Sequence, residues 1–84
     1  MDEEYQKVRE AIMQKHGIDP YHRYGEEQAA HFVDIDLSTL KRWRAQNLVP
    51  AIRLGPRKVR YLGIHVADMM LGRYPRPGTS APGE

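Results

Sequence analysis

The sequence predicts a mainly α-helical domain carrying one small β-hairpin, with an extra helix at its N-terminal end. Three observations lead there. Apolar residues recur at helical spacing in separate blocks between Tyr5 and Trp43. Two short alternating segments flank Gly55-Pro56-Arg57-Lys58, a turn sequence. And 84 residues without a cysteine allow one small core and no disulfide or thiolate site. A domain of this size buries only about 60% of the surface its unfolded chain exposes, which makes it marginally stable.

Residues 2–16 read as the first helix. Asp2, Glu3 and Glu4 suit the positive end of the helix dipole, and Lys15 and His16 suit the other end. Tyr5, Val8 and Ile12, with Met13 beside them, form a narrow apolar stripe. The stripe is open to two readings, docking on the domain or self-association. Gly17 is a left-handed stop, and residues 18–24 form a linker in which Pro20 blocks helix continuation.

A second helix runs from Glu26 to Val33, with Ala29, Ala30, Phe32 and Val33 on its buried side. The two alanines allow close approach of another helix. Asp34 tolerates a left-handed turn, Ile35 plugs the core, and Asp36 is suited to N-capping. The third helix, Leu37 to Gln46, centres its apolar face on Leu40 and Trp43, with Ser38, Lys41, Arg42 and Ala45 opposite and Thr39 and Arg44 on the flanks. Asn47 closes it. Ala51–Leu54 and Val59–Leu62 then make a hairpin with a basic tip, Ile52 and Leu54 alternating with Ala51 and Arg53. A last helix spans Ile64 to Leu71. The expected organisation is an N-terminal helix (1–17), a helix-and-hairpin domain (18–72) and a disordered Pro/Gly-rich tail (73–84).

The charge arrangement says more than the net charge of +2. Between Leu37 and Leu62 stand Lys41, Arg42, Arg44, Arg53, Arg57, Lys58 and Arg60, with no Asp or Glu among them. Such clustering is the electrostatic footprint of a nucleic-acid-binding surface. Two short helices joined by a tight turn, then a hairpin and a helix, is the element order of a winged helix-turn-helix. The second helix of such a pair enters the major groove. Ser38, Lys41 and Arg42 would then read base edges. Thr39, Arg44, Arg53 and Arg60 would hold phosphates, and Arg57 and Lys58 at the wing would follow the minor groove.

The run Glu27-Gln28-Ala29-Ala30-His31-Phe32-Val33-Asp34-Ile35-Asp36-Leu37-Ser38-Thr39-Leu40-Lys41-Arg42-Trp43 resembles the opening of the MerR-like excisionase family. Leu48 to Tyr61, with Arg53-Leu54-Gly55, continues the likeness through the wing, so that it covers about residues 24–71. Asp34 stands where the family usually has Gly, and Leu37 where a polar residue is usual. The resemblance implies an excisionase or recombination directionality factor. Such proteins bind adjacent DNA sites cooperatively, bend the duplex and help a tyrosine recombinase excise a mobile element. Smooth bending of a short site costs on the order of 1–6 kcal/mol, so copies bound side by side through Tyr5, Val8 and Ile12 are expected to share that cost. Small transcription regulators and DNA-packaging or assembly modules with the same domain are the alternatives.

No catalytic constellation is visible, and a non-enzymatic role without cofactor is expected. His16, His22, His31 and His65 lie at spacings that match no usual metal-ligand pattern. Glu26 and Asp68 read as caps or surface charges. The acidic opening Met1-Asp2-Glu3-Glu4 is unlike a basic export leader, so a cytoplasmic, nucleoid-associated location in a bacterium is expected.

Overall fold

The computed structural model describes residues 3–75. In chain order they form α1 (Glu3–His16), β1 (Arg23–Gly25), α2 (Glu26–Val33), α3 (Leu37–Ala45), β2 (Ile52–Arg53), β3 (Val59–Leu62) and α4 (Gly63–Met70). The chain is mainly helical, with one three-stranded antiparallel sheet of order β1-β3-β2 among the described residues. No helix among them is long and apolar enough to cross a membrane.

All four helices stop in the same way. Gly17, Asp34, Asn47 and Gly72 adopt positive φ of 67°, 59–65° for the two non-glycine residues, and 82° respectively. At each, two backbone N–H groups turn back to satisfy carbonyls of the last turn. For α1 these bonds run from Gly17 N to Gln14 O (3.3 Å) and from Ile18 N to Met13 O (2.8 Å). For α2 they run from Asp34 N to His31 O (3.2 Å) and Ile35 N to Ala30 O (3.1 Å). Asn47 and Leu48 close α3, and Gly72 and Arg73 close α4, by the same pattern. Asp34 and Asn47 can take the glycine role because their short polar side chains tolerate the left-handed region. This keeps the connection from α2 to α3 short.

The start of α3 departs from expectation. Asp36 occupies the N-cap position with extended backbone (φ −68°, ψ 146°) but makes no side-chain capping bond. The start of α4 is capped by backbone instead. Gly63 N donates to His22 O at 2.9 Å and Ile64 N to Pro20 O at 3.0 Å. These satisfy two of the donors that every helix start leaves unpaired.

The segment expected to be a plain linker contains β1. Tyr24 lies opposite Tyr61, and Arg23 opposite Leu62. Tyr24 is buried, its ring edge-on to Phe32 at 5.5 Å, and its hydroxyl accepts from Asp19 N at 3.0 Å. Three residues are too few to show a strand period, so only the pairing with β3 identifies the strand.

The core joins Met13, Ile18, Tyr24, Ala29, Ala30, Leu40, Val49, Val59, Tyr61, Val66, Ala67 and Met69. Ala29 and Ala30 let α2 pack against both α3 and α4. Leu37 and Trp43 pack partly buried against this core, on the inward side expected of Trp43. Leu54 does not point inward as the strand alternation predicts. It is 47% exposed although its backbone still pairs across the hairpin, Leu54 N donating to Lys58 O at 2.8 Å, because it lies at the tip beyond the core.

α1 packs along α4. Asp68 is a buried carboxylate rather than a surface charge, 4% exposed, because α1 covers it. The Tyr5 hydroxyl donates to its Oδ1 at 2.7 Å and Arg9 Nη1 donates at 3.2 Å. The Arg73 guanidinium lies 5.4 Å from the Tyr5 ring centre. The Tyr5 hydroxyl is therefore engaged within the chain, while its ring stays partly exposed. Ile12 is partly buried and Val8 stays exposed. Residues 76–84 of the expected tail lie outside the described residues. Tyr74, also assigned to that tail, instead packs against the core with its ring 6.4 Å from that of His65.

His65 has its Nδ1 buried with no hydrogen-bond partner among the described residues. Burial lowers its pKa, Asp68 opposes that, and Arg9 adds to it. A neutral His in the fold and a protonated one in the unfolded chain make stability rise with pH. This contribution is complete above about pH 6.5, the unperturbed imidazole value, and is lost as pH falls toward the lower folded-state pKa. Thermal unfolding should therefore show a falling Tm from about pH 7 to about pH 5. The fall should be shallower in His65→Leu; parallel pH profiles for the two proteins would remove His65 as a cause.

Candidate nucleic-acid interface

A cleft separates α3 from the β2–β3 hairpin. It is lined by Glu26, Lys41, Arg44, Pro56, Arg57, Val59 and Arg60. Short elements place these side chains. The short α2–α3 turn packs α3 against α2, Lys41 and Arg44 stand one turn apart on it, and the hairpin brings Arg57 and Arg60 to the other wall. Residues separated by sixteen positions, Lys41 and Arg57, thus border one concavity.

Ser38, Lys41 and Arg42 are exposed on α3, as are Arg53, Arg57 and Lys58 on or beside the hairpin. Arg9 pairs with Asp68, and Arg44 with Glu26. Lys41, Arg42, Arg53, Arg57 and Lys58 make no direct ion pair among the described residues, although Lys41 stands near enough to Glu26 for its charge to act on that carboxylate. Arg60 is partly buried and its Nη1 donates to the Val59 carbonyl at 2.9 Å. A hydrogen bond to a carbonyl leaves its charge uncompensated.

Arg44 is placed differently from its expected role as a free phosphate ligand. Its Nε donates to Glu26 Oε2 at 2.6 Å and its Nη2 to Glu26 Oε1 at 3.3 Å, a side-on bidentate pair. Glu26 accepts a third bond, from the Tyr61 hydroxyl at 2.6 Å. Glu26 is thus the anchor of the cleft floor and not a mere first-turn charge. Burial pushes its carboxyl pKa up, but the bonds from Arg44 and Tyr61 and the charges of Arg44 and Lys41 outweigh that and hold it below the ordinary range. Its bond raises the Arg44 pKa. Burial and the neighbouring carboxylate push the Tyr61 hydroxyl well above its usual value. Glu26 and Arg44 therefore stay ionised, and the Tyr61 hydroxyl stays protonated and able to donate, across the physiological range.

Thr39 also departs from its expected place. It is partly buried and shares a shallow hollow with Asp34, Ile35 and Asp36, two of them carboxylates that repel phosphate. Glu26 and Tyr61 were missed by the sequence reading because neither carries a local signal of its role. The cleft supplies cationic donors and one internally neutralised arginine. It contains no nucleophile with an adjacent base, and no group of three or more His, Asp or Glu among the described residues is arranged to hold a metal ion. Compared with models of known protein families, with curated proteins and with solved structures, the chain matches none.

Proposed function

We propose that this chain is a winged helix-turn-helix protein that binds double-stranded DNA without catalysing a reaction. In this reading α3 is the recognition helix and the β2–β3 hairpin is the wing. The observation that carries it is the shared cleft: Lys41 from α3 and Arg57 from the hairpin, both exposed and neither in a direct ion pair, border one concavity. Ser38, Lys41 and Arg42 stand on the exposed side of α3, where side chains of a helix laid in the major groove reach base edges. Arg53, Arg57, Lys58 and Arg60 serve the backbone, and Arg44 stiffens the cleft floor from its pair with Glu26.

Within DNA binding, an excisionase or recombination directionality factor acting with a tyrosine recombinase is the role that the family resemblance favours. A reconstituted excision reaction separates it from a transcription regulator. The binding itself is tested by salt. If about five cations meet phosphates, log K falls with log salt at a slope of roughly −4.5. A fourfold rise in salt then weakens binding about 500-fold. Lys41→Ala and Arg42→Ala should each cost about 1–3 kcal/mol on a preferred site and relax base preference there. An affinity that does not change with salt would favour the assembly-module alternative.

A further inference from the structure

The tip of the hairpin carries an apolar feature that phosphate binding does not explain. Leu54 is 47% exposed and Pro56 beside it is exposed. A lone exposed leucine is ordinary on a protein surface. Here it sits on a stiff turn. Leu54 N donates to Lys58 O at 2.8 Å and Lys58 N to Gly55 O at 3.4 Å, which places Pro56 at the second position of the turn, where its fixed φ is already correct.

The surroundings of the tip say what could cover it. Arg53 precedes Leu54, and Arg57 and Lys58 follow Pro56, all exposed and without a carboxylate partner among the described residues. Leu54, Gly55, Pro56, Arg57 and Lys58 line one shallow concavity. Pro56 and Arg57 also line the cleft beside α3. The apolar tip is therefore continuous with the cationic cleft. An apolar protein partner would strip water from these cations without compensation. A duplex offers phosphates to the cations and, within the minor groove, base steps between which apolar side chains of other proteins insert.

Resting on the DNA-binding reading above, we propose that Leu54 and Pro56 form a wedge that enters the minor groove beside the site held by α3 and parts one base step, so that the hairpin kinks the duplex it grips. The cations at the tip draw it into the groove and the stiff turn resists deflection when the bases part. Pyrimidine–purine steps, which unstack most easily, are the preferred point of entry.

The test uses the intact protein at low salt on a short duplex with a central TA step, 2-aminopurine at that step, and donor and acceptor dyes at the ends. Saturating protein should raise 2-aminopurine emission severalfold and bring the ends together by a bend of about 20–90°. Leu54→Ser combined with Pro56→Ala should keep the wild-type salt slope of binding and lose both optical signals. Leu54→Phe, a larger wedge, should keep or increase them. Unchanged signals in the double variant, or loss of signal with Leu54→Phe, would overturn the wedge. So would wild-type binding with a full salt slope and no rise in emission; that result leaves the DNA-binding reading standing. Absence of duplex binding by the wild type would overturn both.

Discussion

Gly63→Ala is expected to destabilise the protein strongly, by about 3 kcal/mol or more. A Cβ added at Gly63 would lie 1.9 Å from the Asp19 carbonyl oxygen, 2.8 Å from its carbon and 2.9 Å from Ile18 Cγ2. Two of these atoms are backbone, so no side-chain rotation relieves the overlap. Nor can the segment at Ile18–Asp19 simply move away. Ile18 is 5% exposed in the core, and the same segment caps α4 through Pro20 O and His22 O. Retreat would break those bonds and withdraw Ile18 together. Overpacking ordinarily costs about 1–3 kcal/mol and more where backbone is struck. Total stability for a chain of this length is roughly 4–12 kcal/mol. Circular dichroism and thermal unfolding of Gly63→Ala check this; a cooperative transition within a few degrees of the wild type would show that the close approach is easily relaxed.

Glu26→Ala should be the most destabilising substitution in the cleft, at about 3 kcal/mol. It removes the acceptor for two partners at once. The Tyr61 hydroxyl, on a fully buried residue, is left unsatisfied, a loss of about 1–3 kcal/mol. The Arg44 guanidinium loses its anion while its side chain is only 20% exposed. Breaking a buried ion pair costs roughly 3–5 kcal/mol. The lower end applies because Arg44 can swing toward the open cleft. A drop in Tm of roughly 12–24 °C follows for a domain of this size. Glu26→Gln keeps an oxygen for Tyr61 and should lose less than half as much.

The sign with pH is definite. The folded-state pKa of Glu26 is depressed, so its contribution is present above the unfolded carboxyl value of about 4.3 and disappears as pH falls through the lower folded value. The gap in Tm between wild type and Glu26→Gln should therefore be full at about pH 7 and narrow in acid. A gap independent of pH would mean that the carboxylate charge is not what stabilises the floor.

Both predictions concern residues whose weight is invisible along the chain. Gly63 reads as one more residue before a helix, and Glu26 as a cap or surface charge. Their importance comes from partners far away in sequence: Tyr61 lies 35 positions from Glu26, and Arg44 18. The same holds for Asp68, whose partner Tyr5 lies 63 positions away. It holds for the short strand β1, which exists only through its register with β3.

What the sequence determined by itself is the set of local decisions. Helical apolar spacing, acidic first turns and left-handed stops at Gly17, Asp34 and Asn47 mark the helices to within about two residues, since each signal acts within one or two turns. The hairpin was legible from its Gly-Pro turn, and the basic run from composition alone. Only the tertiary structure decided which charges are free. It paired Arg44 with Glu26, set Thr39 among carboxylates, committed Tyr5 to Asp68, and turned Leu54 outward while bringing Pro56 and Arg57 to the α3 cleft. The reason is range. A helix or turn is chosen by neighbours a few residues apart, whereas the state of a charge or an apolar side chain depends on which distant segment the fold sets against it.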